Sequence, residues 1–442
     1  MIWLELLVVL GAIFIGARVG GAGLGTVAVI GLAVLVFIFG LPPSLPPVQV
    51  LAIIIAVVTA AASMQAAGGM DFLVTVADRL LRANPRAIIF VGPLVSYIFT
   101  FCAGTGHVAY SILPVIAEVS RKAGIRPERP MSISVIASQT AITASPLSAA
   151  TAGLLALLDP KGVKLSQILM ISIPATLIGV LVGALSVLRM GKELKDDPIY
   201  KERLAAGQVE EPKPLPRLEG VARRNAIGSV TVFLIAAVGV VVFGMFEHLR
   251  PSYPKTGDDG TMITLSMSQT IQMLMYSAAG VMMLFFGAKP AAAVKSSVGA
   301  AGVVAVISIV GLGWMGNCFF EGNADTIKDA LKQTVDAYPW LFAVALFVLS
   351  ILLFSQASTV AALMPVGIAL GIPAAALIAY FPAVNGYFFL PTYATIVAAV
   401  AFDQTGTTRI GKYVLNHSFM RPGLVTIITA IIVGRLISFF VF

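Results

Sequence analysis

Residues 87–120 read AIIFVGPLVSYIFTFCAGTGHVAYSILPVIAEVS. As one continuous helix this stretch would run about 50 Å, against a bilayer hydrocarbon core of about 30 Å. It is interrupted near its middle by Gly104-Thr105-Gly106-His107. Basic residues flank it on both sides: Arg79, Arg82 and Arg86 before it; Arg121, Lys122, Arg126 and Arg129 after it. Lys and Arg collect in cytoplasmic loops, so both ends of the segment lie on one side of a membrane. The segment therefore enters and returns, with its polar tip at membrane depth.

A second long apolar segment, 338–372, is broken in the same way by Ser355-Gln356-Ala357-Ser358-Thr359. An acidic loop precedes it (Glu321, Asp325, Asp329, Asp336), and the charge-free turn Gly371-Ile372-Pro373 follows. This hairpin is predicted to enter from the opposite face.

Around these two hairpins the chain reads as membrane throughout. Of 442 residues, 58% are hydrophobic and 11% are charged, where soluble domains carry about 25% charge. Apolar runs predict spans near 2–17, 20–40, 48–67, 131–158, 165–188, 226–246, 270–287, 296–316, 374–402 and 422–442. Met1–Ile15 has no basic leader region and no small-residue cleavage site, so it reads as a retained span. With both termini outside, the inner loops hold 22 Lys or Arg and the outer loops 6. The net charge of +8 thus reports orientation and not nucleic acid. Cys102 and Cys318 read as two free buried thiols.

The order is three spans, a hairpin and two spans, stated twice with opposite orientation. The predicted fold is an all-α membrane protein: an inverted-topology repeat of about ten transmembrane helices plus two re-entrant helical hairpins. Residues 1–190 form the first repeat, with the cytoplasmic-entry hairpin 87–120. Residues 191–224 form a cytoplasmic linker, rich in charge and Pro at Glu210–Pro216 and expected to be flexible. Residues 225–442 form the second repeat, with the periplasmic-entry hairpin 338–372.

Bare backbone is tolerated at membrane depth only where protein or a water-filled cavity covers it. Two tips and two Pro- or Gly-broken spans therefore mark a cavity, the layout of secondary transporters. The tips offer Gly104, Thr105, Gly106 and His107, and Ser355, Gln356, Ala357, Ser358 and Thr359. The break after the first tip offers Gln139, Thr140, Thr143 and Ser145, with Ser138 and Pro146 beside them. The break after the second offers Asn385, Gly386, Tyr387, Pro391, Thr392 and Tyr393. None of these is Lys, Arg, Asp or Glu. Helix N-termini and hydroxyl donors bind carboxylates without a formal cation, so the set suits a small anion. Any single Ser or Thr among them could instead bond back to its own helix. His107 could pack, bond a ligand or change charge near neutral pH.

Other polar residues divide by position. Asp71, Asp78 and Glu118 stand beside Arg79, Arg82 and Arg121 and read as surface pairs. Gln65 and Gly68-Gly69 read as packing. Asp403 precedes Gln404-Thr405-Gly406-Thr407-Thr408-Arg409 and is either a helix-end partner of Arg409 or a coupling or gating group. His107, His248 and His417 have no metal-site spacing, and no Ser–His or paired-Asp set suggests an enzyme. No metal or cofactor is expected. Sodium or proton coupling is left open.

The motifs resemble the anaerobic C4-dicarboxylate transporter family of the Dcu A/B type. The likeness is carried by Ala103–His107, Arg126-Pro127-Glu128-Arg129-Pro130, Gln139 with Ala144-Ser145-Pro146, Ser355-Gln356-Ala357, Leu390-Pro391-Thr392-Tyr393, and Asp403 with Gly406–Gly411 and Asn416-His417. Phe14–Arg18, Ala141–Pro146 and Asp196–Tyr200 look closer to the A type, the aspartate/fumarate exchanger. The resemblance implies exchange of aspartate, fumarate, malate and succinate across the bacterial inner membrane. It also implies kinship with the ion-transporter superfamily, whose hairpins move as an elevator, usually in a dimer. It implies small dicarboxylates and the lipid bilayer as partners, with a possible homodimer and no nucleic acid. A transporter of another small carboxylate and a passive anion channel are the alternatives.

Overall fold

The computed structural model describes residues 1–46, 48–209, 218–254, 262–323, 326, 337–353, 355–391, 393–411 and 415–442. Thr392, Asp325, Asp329, Asp336 and the linker stretch Glu210–Pro216 lie outside the described residues.

The described residues form helices and one small two-stranded ribbon. The helices of the first half are α1 (Ile2–Val19), α2 (Gly23–Phe37), α3 (Val48–Ala66), α4 (Gly69–Ala83), α5 (Ile88–Ala103), α6 (Ala109–Lys122), α7 (Glu128–Ile142), α8 (Ala149–Leu158) and α9 (Leu165–Val187). The short α10 (Pro198–Ala205) follows. The second half has α11 (Gly220–Met245), α12 (Met267–Phe285), α13 (Pro290–Lys295), α14 (Ser297–Gly322), α15 (Leu341–Leu353), α16 (Gln356–Ala369), α17 (Ala374–Tyr380), α18 (Ala394–Phe402) and α19 (Met420–Val441). Strands β1 (Ser252–Pro254) and β2 (Met262–Thr264) pair antiparallel between α11 and α12.

Among the described residues, five helical stretches are each long and apolar enough to cross a bilayer: Pro85–Ala103 (a 3₁₀ turn running into α5), Leu165–Val187, Gly220–Met245, Ser297–Gly322 and Met420–Val441. Outward faces carry large apolar side chains, such as Trp3, Leu7 and Phe14 on α1 and Ile428, Ile432 and Leu436 on α19. Such a surface suits lipid. Two predicted spans are divided. Residues 131–158 become α7 and α8 with a non-helical link at 143–148. Residues 374–402 become α17, a 3₁₀ stretch Phe381–Phe388 with Asn385 out of helical conformation, and α18.

Three departures from the sequence reading have physical causes. First, residues 69–83, read as loop, form the amphipathic helix α4, which turns 73° from α3. Gly68 makes the turn at φ +84, which only glycine adopts freely. Gln65 at this corner caps α14, accepting the Val298 N–H at 3.0 Å. Second, linker residues 191–209 are docked. Asp197 caps α10 by accepting the Ile199 and Tyr200 N–H groups, and Leu194 and Asp197 are buried. Third, α11 starts at Gly220, inside the expected linker.

Close crossings hold the layers together. The extensive α9–α19 contact joins the halves, with Gly179 and Gly183 letting Thr426 and Ala430 approach. Across the α2–α14 crossing, a Cβ on Gly311 would meet the Gly25 carbonyl carbon at 2.6 Å and its Cα at 2.8 Å. Both are backbone atoms and cannot rotate away. Gly311→Ala should therefore separate the two helices and cost about 1–3 kcal/mol. A denaturant midpoint equal to that of the parent protein would refute this.

Candidate functional site

Each hairpin tip is built by one N-cap. In the first, Gly104 closes α5 at φ +68 and Thr105 extends. The Thr105 hydroxyl then accepts the His107 N–H at 3.4 Å, starting the turn that leads into α6. In the second, the Ser355 hydroxyl accepts the Ser358 N–H at 3.2 Å and starts α16. Short hydroxyl side chains suit this position because they satisfy donors that a helix start leaves open.

Each tip's hairpin also leans on the break that follows it in sequence. A Cβ on Gly104 would meet the Leu147 carbonyl oxygen at 2.6 Å, so the first tip lies directly on the link between α7 and α8. Ser145 of that link donates to the Phe101 carbonyl at 2.6 Å. In the second half the Gly386 N–H donates to the Ser350 hydroxyl of α15 at 2.8 Å.

The two tips meet across the molecule. Gly104, Thr105, Gly106, His107, Ser355, Gln356 and Ala357 line one cavity of about 570 Å³, together with Gln139 and Tyr393. Its other wall is mostly apolar, formed by α2, α3 and α14 through residues such as Leu24, Val57, Ala61 and Gly302, with Ser308 of α14 among them. No Lys, Arg, Asp or Glu lines it among the described residues. Tyr110 and Thr395 also reach it. Tyr110 is absent from the sequence reading; it lies three residues after His107 and its ring stacks at 6.0 Å, a spacing that could have suggested it. The apolar wall gave no polar signal to find.

The remaining predicted residues stand behind this lining. Thr143 donates to the Thr140 carbonyl and Thr359 to the Ser355 carbonyl, both within their own helical turns. Ser358 donates to the Ser355 hydroxyl at 2.9 Å. Thr140 is buried and its hydroxyl has no hydrogen-bond partner. Tyr387 donates to the Val135 carbonyl at 3.4 Å and lies 4.9 Å from the Tyr393 ring. Gly386 and Pro391 are buried in the second break without reaching the cavity. Asn385 is fully buried and bonds Gln356.

Asp403 is buried outside the cavity lining, and the threonine loop that follows it closes on its carboxylate. One carboxylate oxygen accepts the Thr405 N–H at 2.9 Å; the other accepts the Thr407 hydroxyl at 2.8 Å and the Thr408 N–H at 2.6 Å. This loop touches the first half, because Thr407 accepts the Glu128 N–H at 3.2 Å. Glu128 belongs to a buried polar knot. Arg126 donates to Glu128 at 2.6 Å and to Asp197 of the linker, and Ser418 donates to Glu128 at 2.7 Å. Nearby, Arg82 pairs with Asp78 and Glu118, as the basic and acidic spacing suggested.

Comparison with known proteins gives the family of the chain. The chain matches the family model for anaerobic C4-dicarboxylate membrane transporters over residues 1–442. It is 40% identical to the C4-dicarboxylate transporter DcuA of Wolinella succinogenes, covering 99% of each chain. The DcuA of Escherichia coli K12 is 40% identical over the full length of both. The anaerobic C4-dicarboxylate transporter DcuB of E. coli O6:H1 is 38% identical over 98% of this chain and 97% of its own. Among solved structures, the Alcanivorax borkumensis YdaH transporter superposes with a TM-score of 0.59 at 15% identity, covering 86% of this chain and 84% of that one. Neisseria gonorrhoeae MtrF superposes with a TM-score of 0.56 at 14% identity, covering 92% and 84%. These two share the fold. The chain is a membrane protein and a member of the anaerobic C4-dicarboxylate transporter family, which is a family of transporters and not of enzymes.

Proposed function

We propose that this protein exchanges C4-dicarboxylates (fumarate, succinate, malate and aspartate) across the bacterial inner membrane, with both termini periplasmic. The carrying observation is that two hairpin tips from opposite halves of the chain bring polar groups, with no Lys, Arg, Asp or Glu beside them among the described residues, to one cavity. Its volume lies within the range of about 300–1,000 Å³ typical of small-ligand pockets. A dianion in such a site relies on hydroxyls, amides and helix starts in place of a cation. The names of the full-length relatives support the substrate class. The wall of the cavity is polar on the hairpin side and apolar on the side of α2, α3 and α14. That asymmetry supports alternating access in which the hairpin side slides as an elevator along a smooth apolar face.

The test is uptake of labelled fumarate into proteoliposomes. Vesicles preloaded with succinate should take up label, and vesicles loaded with buffer alone should take up little. Equal uptake in both, with electrical conductance, would favour a channel. No uptake of labelled fumarate, with uptake of labelled citrate or a monocarboxylate by the same vesicles, would favour a transporter of another carboxylate.

A further inference from the structure

Three amide side chains form a relay between the halves. Asn385 Nδ2 donates to the Pro382 carbonyl at 3.0 Å. A carbonyl can only accept, so the Asn385 amide is fixed with its oxygen turned the other way. That oxygen accepts from Gln356 Nε2 at 3.1 Å. The same nitrogen donates to Gln139 Oε1 at 3.3 Å. Gln139 must therefore turn its own NH₂ away from Gln356. Reversing any one amide would set donor against donor or oxygen against oxygen.

The NH₂ at the end of the relay has no hydrogen-bond partner. Gln139 is 1% exposed and lines the cavity. Its nitrogen lies against Gly106 of the first tip, where a Cβ would collide with it. A buried donor without an acceptor is costly, and a carboxylate oxygen is the acceptor that relieves it most strongly. The same amide is bonded by the second tip and covered by the first.

We infer that Gln139 donates to a carboxylate of the bound substrate, and that Asn385, acting through Gln356, is the positioning residue that keeps this donor turned away from Gln356 and free for the ligand. Asn385 does not itself line the cavity. The inference rests on the dicarboxylate reading above and adds a polarity to the site. One face of the ligand is read by an amide whose orientation is set from a proline carbonyl in the other half of the chain.

The test is a double-mutant cycle on fumarate exchange in proteoliposomes, with thermal stability measured beside it. Asn385→Leu should raise KM about 10- to 100-fold, the range expected for losing an oriented donor to a charged group. Vmax should stay within about 3-fold, because the loss is in binding. Gln139→Met should raise KM at least as much. The double variant should be no worse than Gln139→Met alone, because Asn385 acts only through Gln139. A merely structural Asn385 would instead lower Vmax and the melting temperature together. An unchanged KM in Asn385→Leu, or additive effects in the double variant, would overturn the relay while leaving the function standing. Should Asn385→Leu not fold, Asn385→Ala with the same partner answers the same question. A wild-type protein that neither exchanges fumarate nor is stabilised by it would overturn the dicarboxylate reading, and the relay with it.

Discussion

Arg126→Met should destabilise the folded protein by about 3–5 kcal/mol, the cost of breaking a buried ion pair from one side. Arg126 is 3% exposed and joins Glu128 to Asp197. Methionine preserves most of the volume, so the loss is electrostatic. Two buried carboxylates would remain, each with other donors but without a cation. Glu128 would keep the Ser418 hydroxyl, and Asp197 the N–H groups of Ile199 and Tyr200. Adding Glu128→Gln and Asp197→Asn should recover much of the loss, since neutral buried amides no longer need the guanidinium. The shift of the denaturant midpoint measures both effects, and a single variant within about 1 kcal/mol of the parent would contradict the first.

The same knot has a pH signature. Burial pushes the Asp197 carboxyl up, but the Arg126 guanidinium and the backbone N–H groups outweigh it and hold the carboxyl below its ordinary 3.8. A carboxyl lowered in the folded state contributes stability above its unfolded value, and that contribution is lost as pH falls through the folded value. Acid below the ordinary carboxylate range should therefore loosen the linker. Arg126→Met should flatten this part of the acid transition.

How far the sequence discloses this molecule depends on how local each signal is. The two polar interruptions at Gly104–His107 and Ser355–Thr359 stand out because small polar residues are rare inside apolar runs. The structure brings both to one cavity. Helix α4 was hidden because its apolar residues, Val74, Ala77 and Leu81, recur at helical spacing among charges, which reads as loop when only hydropathy is followed. The docked linker was hidden because Asp197 meets Arg126 across 71 positions, and no local pattern marks such a pair. Asp403 was ambiguous for the opposite reason. Both Arg409 and the threonines lie within reach along the chain, and only the folded loop shows the threonines closing on the carboxylate.

The hydroxyls divide along the same line. Thr105 and Ser355 start helices at the cavity, whereas Thr143 and Thr359 bond within their own turns. All four are small polar residues in apolar surroundings. What separates them is position relative to a helix start, which the sequence gives only to within a few residues. The cavity's apolar wall, from α2, α3 and α14, is likewise indistinguishable in sequence from lipid-facing or core positions, since all three demand the same side chains.

Gly106→Ala should lower Vmax/KM for fumarate exchange on the order of 100-fold, the loss expected when a positioned group is displaced by about 1 Å. Folding should be nearly unaffected. Gly106 is not held at positive φ, so alanine fits its backbone. The added methyl would first meet the end of the Gln139 side chain, whose amide nitrogen lies nearest and whose amide carbon and oxygen lie 2.9 Å from the Cβ position. That side chain can yield by rotating, giving up the bond it accepts from Gln356, so the cost in stability should stay within about 1.5 kcal/mol, the net worth of one hydrogen bond. In rotating it gives up the orientation that the bond from Gln356 sets for its NH₂. Gly104→Ala is the contrasting variant. Its φ of +68 and its contact with the Leu147 carbonyl are both backbone constraints, so it should lose stability and transport together. Thermal unfolding and exchange measured on both proteins separate the two cases. If Gly106→Ala keeps exchange within about 3-fold of wild type, or loses stability in step with transport as Gly104→Ala does, the first tip closes the fold without positioning a ligand group.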